Sequence, residues 1–532
     1  MNKEDFVFFS LISYHLMKMY CFKLFSINLL TYLNLYFPKY KTKAGRNENI
    51  VQHWRSKFPN IIQNKDVIFC DGAAGTQVPN EVIESMAAHL RNVGSTNVGG
   101  EYKTGEEALK TVTNARLAGK DLLGTKSTGE IAFGQNCTNI MFHLARSIEN
   151  CVNDKKYAAD KEKAEGIDIK AGDNIILSRA CHDANIAPWL LMARNLGLEV
   201  RWLDCLGSSR TVCTSSAKTI NLNNKVDDSN MDCIGMEQIP TLLDSRTRLI
   251  SLGLASNATG RIHLPVIERI NEVIDGMNNR TRPFLILDGT HYLPHRKVNL
   301  LNLRSDAILC SAYKFFGPHL GVMAFNGSRM KDLMPGKSGV RFDKKGKFEN
   351  DLLGYGEFPN VENCEISRWE MGTLNYEALA GFESCVNYLA SLKNNPMDAE
   401  SGRQEVETRI GNLETSFDTL RLHEEELSQR FLNGIRSGLM LNKIRLIGSR
   451  DVKERTPTFA LTLNNCSNIN NVDLIKKLNE NNIFCTHGNH YAPDLVDNCL
   501  NEPKGVTRIS LLHYNTIEEV DKIVRVLEEC VY

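Results

Sequence analysis

The sequence lacks several features that would assign it to common functional classes. No Cys-x-x-Cys pair occurs among its 15 cysteines, which argues against a zinc ribbon or an iron–sulfur ligand set. A chain of 532 residues also needs no disulfides to stabilise its core, so we expect reduced thiols. Basic and acidic residues balance at 63 each, so no global field favours nucleic acid or an anionic membrane. No internal repeat is evident.

A membrane span is not evident at the N-terminus either. The apolar runs 6–17 and 24–37 fall short of the roughly 20 residues that cross a bilayer. Basic residues follow the second run, so residues 1–48 form an extension that is either a targeting or anchoring segment or unrelated to the fold. We expect a cytoplasmic protein, or an organellar one if this segment is a targeting sequence. Membrane association is expected only if it is an anchor.

Short apolar strands alternating with amphipathic helices begin near Val67 and indicate an α/β fold with crossovers. Most of these strands lack polar alternation, as expected of a sheet covered on both faces. The predicted strands are 67–70, 131–133, 174–177, 198–202, 247–252, 284–287 and 307–310.

Polar stretches suggest the domain boundaries. Residues 153–172 and 206–232 are predicted to be solvated insertions, and 394–414 to be the passage to a second domain. We therefore predict a large domain over 65–393 and a smaller α+β domain over 415–532. The smaller domain is expected to contain strands at 458–462 and 507–511 and a closing helix at 517–529.

Two predicted strands lead into residues that can bind a cofactor or take part in catalysis. Asp288 ends the strand at 284–287, and Lys314 follows the next strand, 26 residues later. Ligands of α/β sheets bind at this edge. A lysine amine can form a Schiff base with pyridoxal 5′-phosphate, and a carboxylate can keep the pyridine nitrogen protonated. The alternative without a function is a surface lysine and a helix-capping aspartate. Because Asp288 and Lys314 follow successive strands, the cofactor site is favoured.

A candidate phosphate site lies at Phe133-Gly-Gln-Asn-Cys-Thr138. This segment ends a strand and opens a helix, so amide groups and the helix dipole would face an anion. An ordinary N-cap explains the same residues.

Five motifs follow one another along the chain: Asp71-Gly-Ala-Ala-Gly-Thr-Gln-Val-Pro79, Cys181-His-Asp-Ala-Asn-Ile-Ala-Pro-Trp189, Ser256-Asn-Ala-Thr-Gly260, Ser311-Ala-Tyr-Lys-Phe-Phe-Gly-Pro318 and Arg368-Trp-Glu-Met-Gly-Thr-Leu-Asn375. In this order they resemble the aminotransferase class V family, and among its branches the cysteine desulfurase-like proteins. The resemblance runs from about Val67 to Tyr532. It implies fold type I architecture, with a mainly parallel seven-stranded sheet and a smaller C-terminal α+β domain. It also implies a homodimer with its active site at the subunit interface.

The resemblance also implies roles for individual residues. Lys314 would carry the cofactor as an aldimine, with Asp288 at the ring nitrogen and His182 stacked on the ring. Asn257 would contact the ring hydroxyl and His291 would lie beside the ring. The phosphate would be held by Cys137, Thr138 and Ser311, and Thr373 would reach the neighbouring subunit's phosphate.

Arg508 is the candidate for the substrate carboxylate. Its planar guanidinium can bind a carboxylate through two parallel hydrogen bonds, which would orient a small amino-acid substrate. Without the resemblance it would be read as an ordinary arginine of an edge strand.

The sequence departs from the desulfurase pattern at Tyr491, which stands where such enzymes carry the sulfur-accepting cysteine. The leading expectation is therefore a pyridoxal-phosphate-dependent transferase or lyase acting on a small amino acid. A desulfurase or selenocysteine lyase using another thiol, with Cys485 and Cys499 nearby, is one alternative. A non-catalytic cofactor-binding partner protein is another. A metal site at His291 and His295 is not expected, because Pro294 separates them from a shared helical face.

Overall fold

The computed structural model describes residues 49–125, 129–153, 168–208, 227–277, 282–330, 333, 369–393, 408–436, 440, 442–464 and 469–532. Residues Trp54–Tyr532 form one compact unit. The prediction for residues 1–48 lies outside the described residues, as do most of both insertions and of the polar stretch 394–414. The division into domains at 65–393 and 415–532 stays a prediction.

The largest sheet of the described residues has seven strands, β2 (Gly129–Gly134), β3 (Asn174–Ser178), β4 (Glu199–Leu203), β5 (Thr247–Gly253), β6 (Phe284–Asp288), β7 (Ala307–Ser311) and β8 (Gly321–Asn326). Their order in the sheet is β2-β8-β7-β6-β5-β3-β4. Strand β8 is antiparallel to β2 and β7, and the other pairs are parallel. All five residues of β3 and of β7 are buried, which requires cover on both faces because successive side chains point to opposite sides. The predicted, mainly parallel seven-stranded sheet is confirmed.

The remaining strands belong to two smaller sheets. Strand β1 (Ile68–Phe69) pairs in parallel with β11 (Ile483–Phe484). The other sheet consists of four antiparallel strands, β9 (Ile444–Ile447), β10 (Thr458–Leu463), β12 (Thr486–Gly488) and β13 (Val506–Ser510). Their order is β12-β13-β10-β9.

From Pro59 onward the described helices are, in chain order, α1 (Pro59–Gln63), α2 (Asn80–Asn92), α3 (Lys103–Leu123), α4 (Cys137–Asn153), α5 (Ala187–Leu196), α6 (Ile239–Leu242), α7 (Leu264–Asp275), α8 (Gly327–Met330), α9 (Tyr376–Ser391), α10 (Arg409–Arg436), α11 (Asn471–Glu480) and α12 (Ile517–Val531). Helix α4 packs on strands β7 and β8 of the large sheet, whereas α9 packs on the helices α2, α3 and α10. No helix among them is both long and apolar enough to cross a bilayer.

The C-terminal part has its own apolar core between the four-stranded sheet and helices α10 and α12. The rings of Phe431 and Phe459 lie 4.2 Å apart at its centre, with Leu527 buried in the same cluster. A capping box between Thr516 and Glu519 begins α12, which satisfies amide groups that the first helical turn leaves unpaired.

Two strand predictions need correction. The strand predicted at 67–70 exists as β1, but it pairs with the distant β11 and does not join the large sheet. Strand β8 was not predicted, although it is the only antiparallel member of the large sheet. The pairing of β1 with β11 and that of β2 with β8 join residues far apart in the chain, which local apolar patterning does not encode.

Candidate active site

Eight of the ten predicted site residues line one cavity at the carboxyl ends of β3, β5, β6 and β7. This is the edge at which parallel sheets bind ligands. The eight are Cys137, Thr138, His182, Asn257, Asp288, His291, Ser311 and Lys314. Arg508 lines the adjoining outer space together with His182, Asn257 and Lys314. Thr373 is exposed and lines a different cavity.

Lys314 ends a single 3-10 turn that follows β7. Thr76 fixes this turn, because its hydroxyl donates to the Tyr313 carbonyl (3.1 Å) and accepts from the Phe316 amide (2.8 Å). The Lys314 Nζ makes no hydrogen bond or ion pair within the described residues, and burial and the nearby Arg508 lower its pKa. A largely buried amine held in this way is suited to react with an aldehyde.

Asp288 is the last residue of β6, and its Oδ1 accepts a hydrogen bond from the Thr290 amide (2.9 Å). Its negative charge acts on the cavity, since it opposes the lowering of the Lys314 and His182 pKa values. The described residues provide the Asp288 carboxylate with no ion-pair partner. The carboxylate is therefore available to a cationic ligand group.

The N-terminus of α4 points into the same cavity through Cys137 and Thr138. The Cys137 amide donates to the Ser311 hydroxyl (2.9 Å), which ties the helix start to the end of β7. Gly321 makes this approach feasible, because a Cβ there would lie 2.6 Å from the Asn136 carbonyl carbon. A helix start with its dipole directed at the cavity is an anion site.

His182 follows β3, and its Nδ1 accepts a hydrogen bond from the Ala184 amide (3.0 Å). An accepting Nδ1 carries no proton, so the neutral ring is protonated at Nε2. Burial and the charge of Lys314 lower the His182 pKa to about 4. His182 is thus a neutral aromatic ring at physiological pH.

We expect the His182 ring to show no titration between pH 5.5 and 8. Because the unfolded ring titrates near its ordinary value of 6.5, the unfolded chain takes up this proton first as the pH falls. The free energy of unfolding should therefore decrease between about pH 6.5 and 4, and less so in His182→Asn. NMR of histidine-labelled protein, with His182→Asn for assignment, measures the ring directly. An inflection between pH 6 and 7 would contradict this expectation.

His291 is buried, and burial keeps its pKa well below the ordinary value. Its Nε2 lies 3.1 Å from the Thr456 hydroxyl. That hydroxyl donates to the Gly260 carbonyl, so we assign the proton of the contact to His291 Nε2. His295 pairs instead with the buried Glu424 (3.0 Å). Within the described residues, no group of three or more His, Cys, Asp or Glu side chains could hold a metal ion.

Arg508 lies on β13 and is bound by two elements of the site. Its Nη2 forms an ion pair with Asp71 (2.7 Å), and its Nη1 donates to the Asn257 carbonyl (3.1 Å). Its Nε is buried and has no hydrogen-bond partner in the part of the chain that the structure describes. The Asn257 side chain donates to the His490 carbonyl (2.7 Å), which connects β13, the Asn257 turn and the loop after β12.

That loop places Tyr491 at the mouth of the cavity. Tyr491 is 73% exposed, and its ring centroid lies 5.5 Å from that of His182. The Asp183 amide donates to the Tyr491 carbonyl (2.7 Å). Both His490 and Tyr491 have left-handed backbones, with φ of 53° and 57°, an uncommon conformation for residues other than glycine.

The two cysteines near this loop are buried. Cys485 is 5% exposed, and burial raises its pKa to about 12, while Cys499 is 0% exposed. A reactive cysteine needs an accessible thiolate. Neither thiol has that environment.

Sequence reasoning missed Asp71 and Asn185 as parts of the site. Asp71 is the first residue of the motif at residues 71–79, but its partner Arg508 is 437 residues away. Asn185 lines the cavity and donates to the Cys181 sulfur (3.6 Å). Both residues follow the end of a strand, and this position is the sequence signal that could have identified them as parts of the site.

Comparisons with known proteins agree with this geometry. The family model described as aminotransferase class-V matches residues 68–227, 211–416 and 406–523. The aminotransferase-like protein FGM3 of Gibberella zeae is 26% identical over 484 residues, covering 90% of this chain and 98% of that protein. A cysteine desulfurase of an Enterobacter species is 23% identical over 478 residues, covering 89% and 96%.

Solved structures show the same fold. The cysteine desulfurase of Thermococcus onnurineus superimposes with a TM-score of 0.66 at 19% identity, covering 90% of this chain and 98% of that one. The cysteine desulfurase CsdA of Escherichia coli gives a TM-score of 0.63 at 19% identity, covering 91% and 99%. The predicted fold type I architecture is thereby confirmed.

Proposed function

Because the chain belongs to the aminotransferase class V family, we propose that it is a pyridoxal-phosphate-dependent enzyme acting on a small amino acid through Lys314. The observation that supports this proposal most strongly is the geometry of one cavity. It holds a largely buried lysine amine that makes no hydrogen bond or ion pair within the described residues, a carboxylate at a strand end and a helix N-terminus. An aldehyde, a pyridine nitrogen and a phosphate are the groups that these three features would bind.

The residues of the cavity fit the cofactor that the family implies. Lys314 would be bonded to its aldehyde, Asp288 would face its ring nitrogen and the start of α4 would face its phosphate, with Ser311 beside it. His182 would lie against the ring as a neutral aromatic side chain. Asn257 and His291 also line the cavity.

Bound pyridoxal phosphate would supply an aldehyde that reacts with amines and a pyridine ring that withdraws electrons from the α-carbon of the amino acid bonded to it. The chain's own residues do the rest. Lys314 Nζ, whose pKa is lowered, would be released from the aldehyde when the substrate amine replaces it there, and would then take the proton from the substrate α-carbon. Asp288 would hold the proton on the ring nitrogen, and Arg508 would orient the substrate carboxylate.

A spectral screen tests the proposed function. Purified protein supplied with pyridoxal phosphate should absorb visible light, and this band should shift on addition of at least one small amino acid from a panel. A protein that stays colourless would overturn the proposal. A band that no amino acid perturbs would favour the non-catalytic cofactor-binding protein.

Cysteine desulfurase activity is the second candidate, because several relatives and structural neighbours carry that name. The buried thiols and the exposed Tyr491 argue against a protein-bound persulfide. We expect Cys485→Ser and Cys499→Ser to change turnover by less than about twofold, since neither thiol is an accessible nucleophile. Sulfide release from L-cysteine should be measured for both variants and the wild type. Release by the wild type that either serine variant abolishes would contradict this expectation.

We further propose a homodimer in which Thr373 reaches the neighbouring subunit's cofactor phosphate. Its exposure and its place outside the Lys314 cavity support a role in trans. Thr373→Ala should weaken pyridoxal-phosphate binding about tenfold, because a hydrogen bond to a charged group is lost. Thr415→Ala on α10 is the matched control. Sedimentation gives the assembly state, and a monomer with full cofactor affinity would contradict the proposal.

A further inference from the structure

The Arg508 guanidinium is already engaged by the chain itself. Nη2 is paired with Asp71 and Nη1 with the Asn257 carbonyl. Nε is buried and has no hydrogen-bond partner within the described residues. A carboxylate bound through two parallel hydrogen bonds has to approach one edge of the planar guanidinium. Because the Asp71 carboxylate already lies 2.7 Å from Nη2, an incoming carboxylate meets a like charge and competes with Asp71 for the guanidinium.

Asp71 is the partner that can move. The Asn257 carbonyl is part of the backbone of a buried turn, whereas Asp71 contributes a side chain that is 24% exposed against 4% for Arg508. Only its Oδ1 contacts the guanidinium, and the Thr486 hydroxyl donates to the same oxygen (3.0 Å). The Asp71 backbone is fixed separately, since its carbonyl accepts from the Ala74 amide (2.9 Å). The carboxylate can thus rotate away without disturbing the turn.

Asp71 also lies on the route to Lys314. Asp71, Thr486, Arg508 and Lys314 line the same outer space. In the absence of ligand, Asp71 balances a cation that would otherwise be buried without a counter-ion, which would be costly. The pair therefore stabilises the empty site and at the same time occupies the substrate's anchor.

We propose that Asp71 is a displaceable internal carboxylate, which holds Arg508 until a substrate carboxylate takes its place. The inference rests on the proposed function of Arg508. It makes Asp71 a specificity-determining residue: ligands without a carboxylate cannot release the pair, and every carboxylate ligand binds more weakly than it would to an unoccupied Arg508.

Calorimetric titration of the holoenzyme with propionate and with propionamide tests the proposal. Asp71→Asn keeps the shape of the side chain but removes the competing charge, so propionate should bind about tenfold tighter than to the wild type. Thr486→Val loosens Asp71 and should give a smaller gain of about two- to threefold, and it keeps the test available if Asp71→Asn does not fold. Propionamide binding should be unchanged in both. Asp521→Asn, which removes the surface partner of Arg430, is the matched control.

Arg508→Gln distinguishes the displacement of Asp71 from the proposed role of Arg508 in binding the substrate carboxylate. If this variant loses propionate binding while Asp71→Asn and Thr486→Val bind propionate no more tightly than the wild type, the displacement is overturned and the proposed role of Arg508 stands. If Arg508→Gln binds propionate as well as the wild type, both are overturned.

Discussion

Lys314→Ala is expected to abolish covalent attachment of the cofactor and to lower turnover at least about a thousandfold. Two functions would be lost together, the amine that bonds the aldehyde and the base that takes the α-proton. The Lys314 Nζ makes no hydrogen bond or ion pair within the described residues and lies 5.9 Å from the centre of the Tyr313 ring, so the variant loses only a weak contact and should remain folded. Absorption spectra with added pyridoxal phosphate and single-turnover kinetics, using an amino acid identified by the spectral screen, measure both losses.

Lys476→Ala provides the matched control, because Lys476 is exposed on α11. It should keep the wild-type spectrum and turnover. A Lys314→Ala protein that retains the visible band would show that a different lysine carries the cofactor.

Asp288→Asn is expected to lower turnover about a hundred- to ten-thousandfold. Asparagine can still accept the hydrogen bond from the Thr290 amide, so the turn after β6 should be preserved. The lost element is the negative charge that would hold a proton on the ring nitrogen. Cofactor should therefore still bind, with an altered spectrum and slower loss of the substrate α-proton, which an α-deuterated substrate would report as a kinetic isotope effect.

Asp275→Asn is the control for this variant, since Asp275 pairs with Arg304 at the surface. It should leave turnover unchanged. An Asp288→Asn protein with wild-type turnover would show that Asp288 has no role in the mechanism.

Local patterning predicted the elements of the site that depend on one strand and its following turn. Asp288 and Lys314 each end a continuous apolar run, and parallel strands bring such ends to one edge. The helix start at Cys137 was predicted for the same reason. Family motifs then supplied His182, Asn257 and His291, which the residues alone would not have singled out.

Pairings across long sequence separations could not be predicted in this way. The contact between Asp71 and Arg508 requires β1 and the turn after it to lie beside β13. The approach of Tyr491 to His182 likewise depends on the loop after β12. These contacts arise from packing between distant segments, and the periodicity of apolar residues within a single segment does not predict them.

The residue that bonds the cofactor is the central claim, and chemical trapping tests it most directly. Holoenzyme treated with borohydride should retain one reduced cofactor per chain, and mass spectrometry of its peptides should place that mass on Lys314. Modification of another lysine, or no retained mass in a protein saturated with pyridoxal phosphate, would contradict the account.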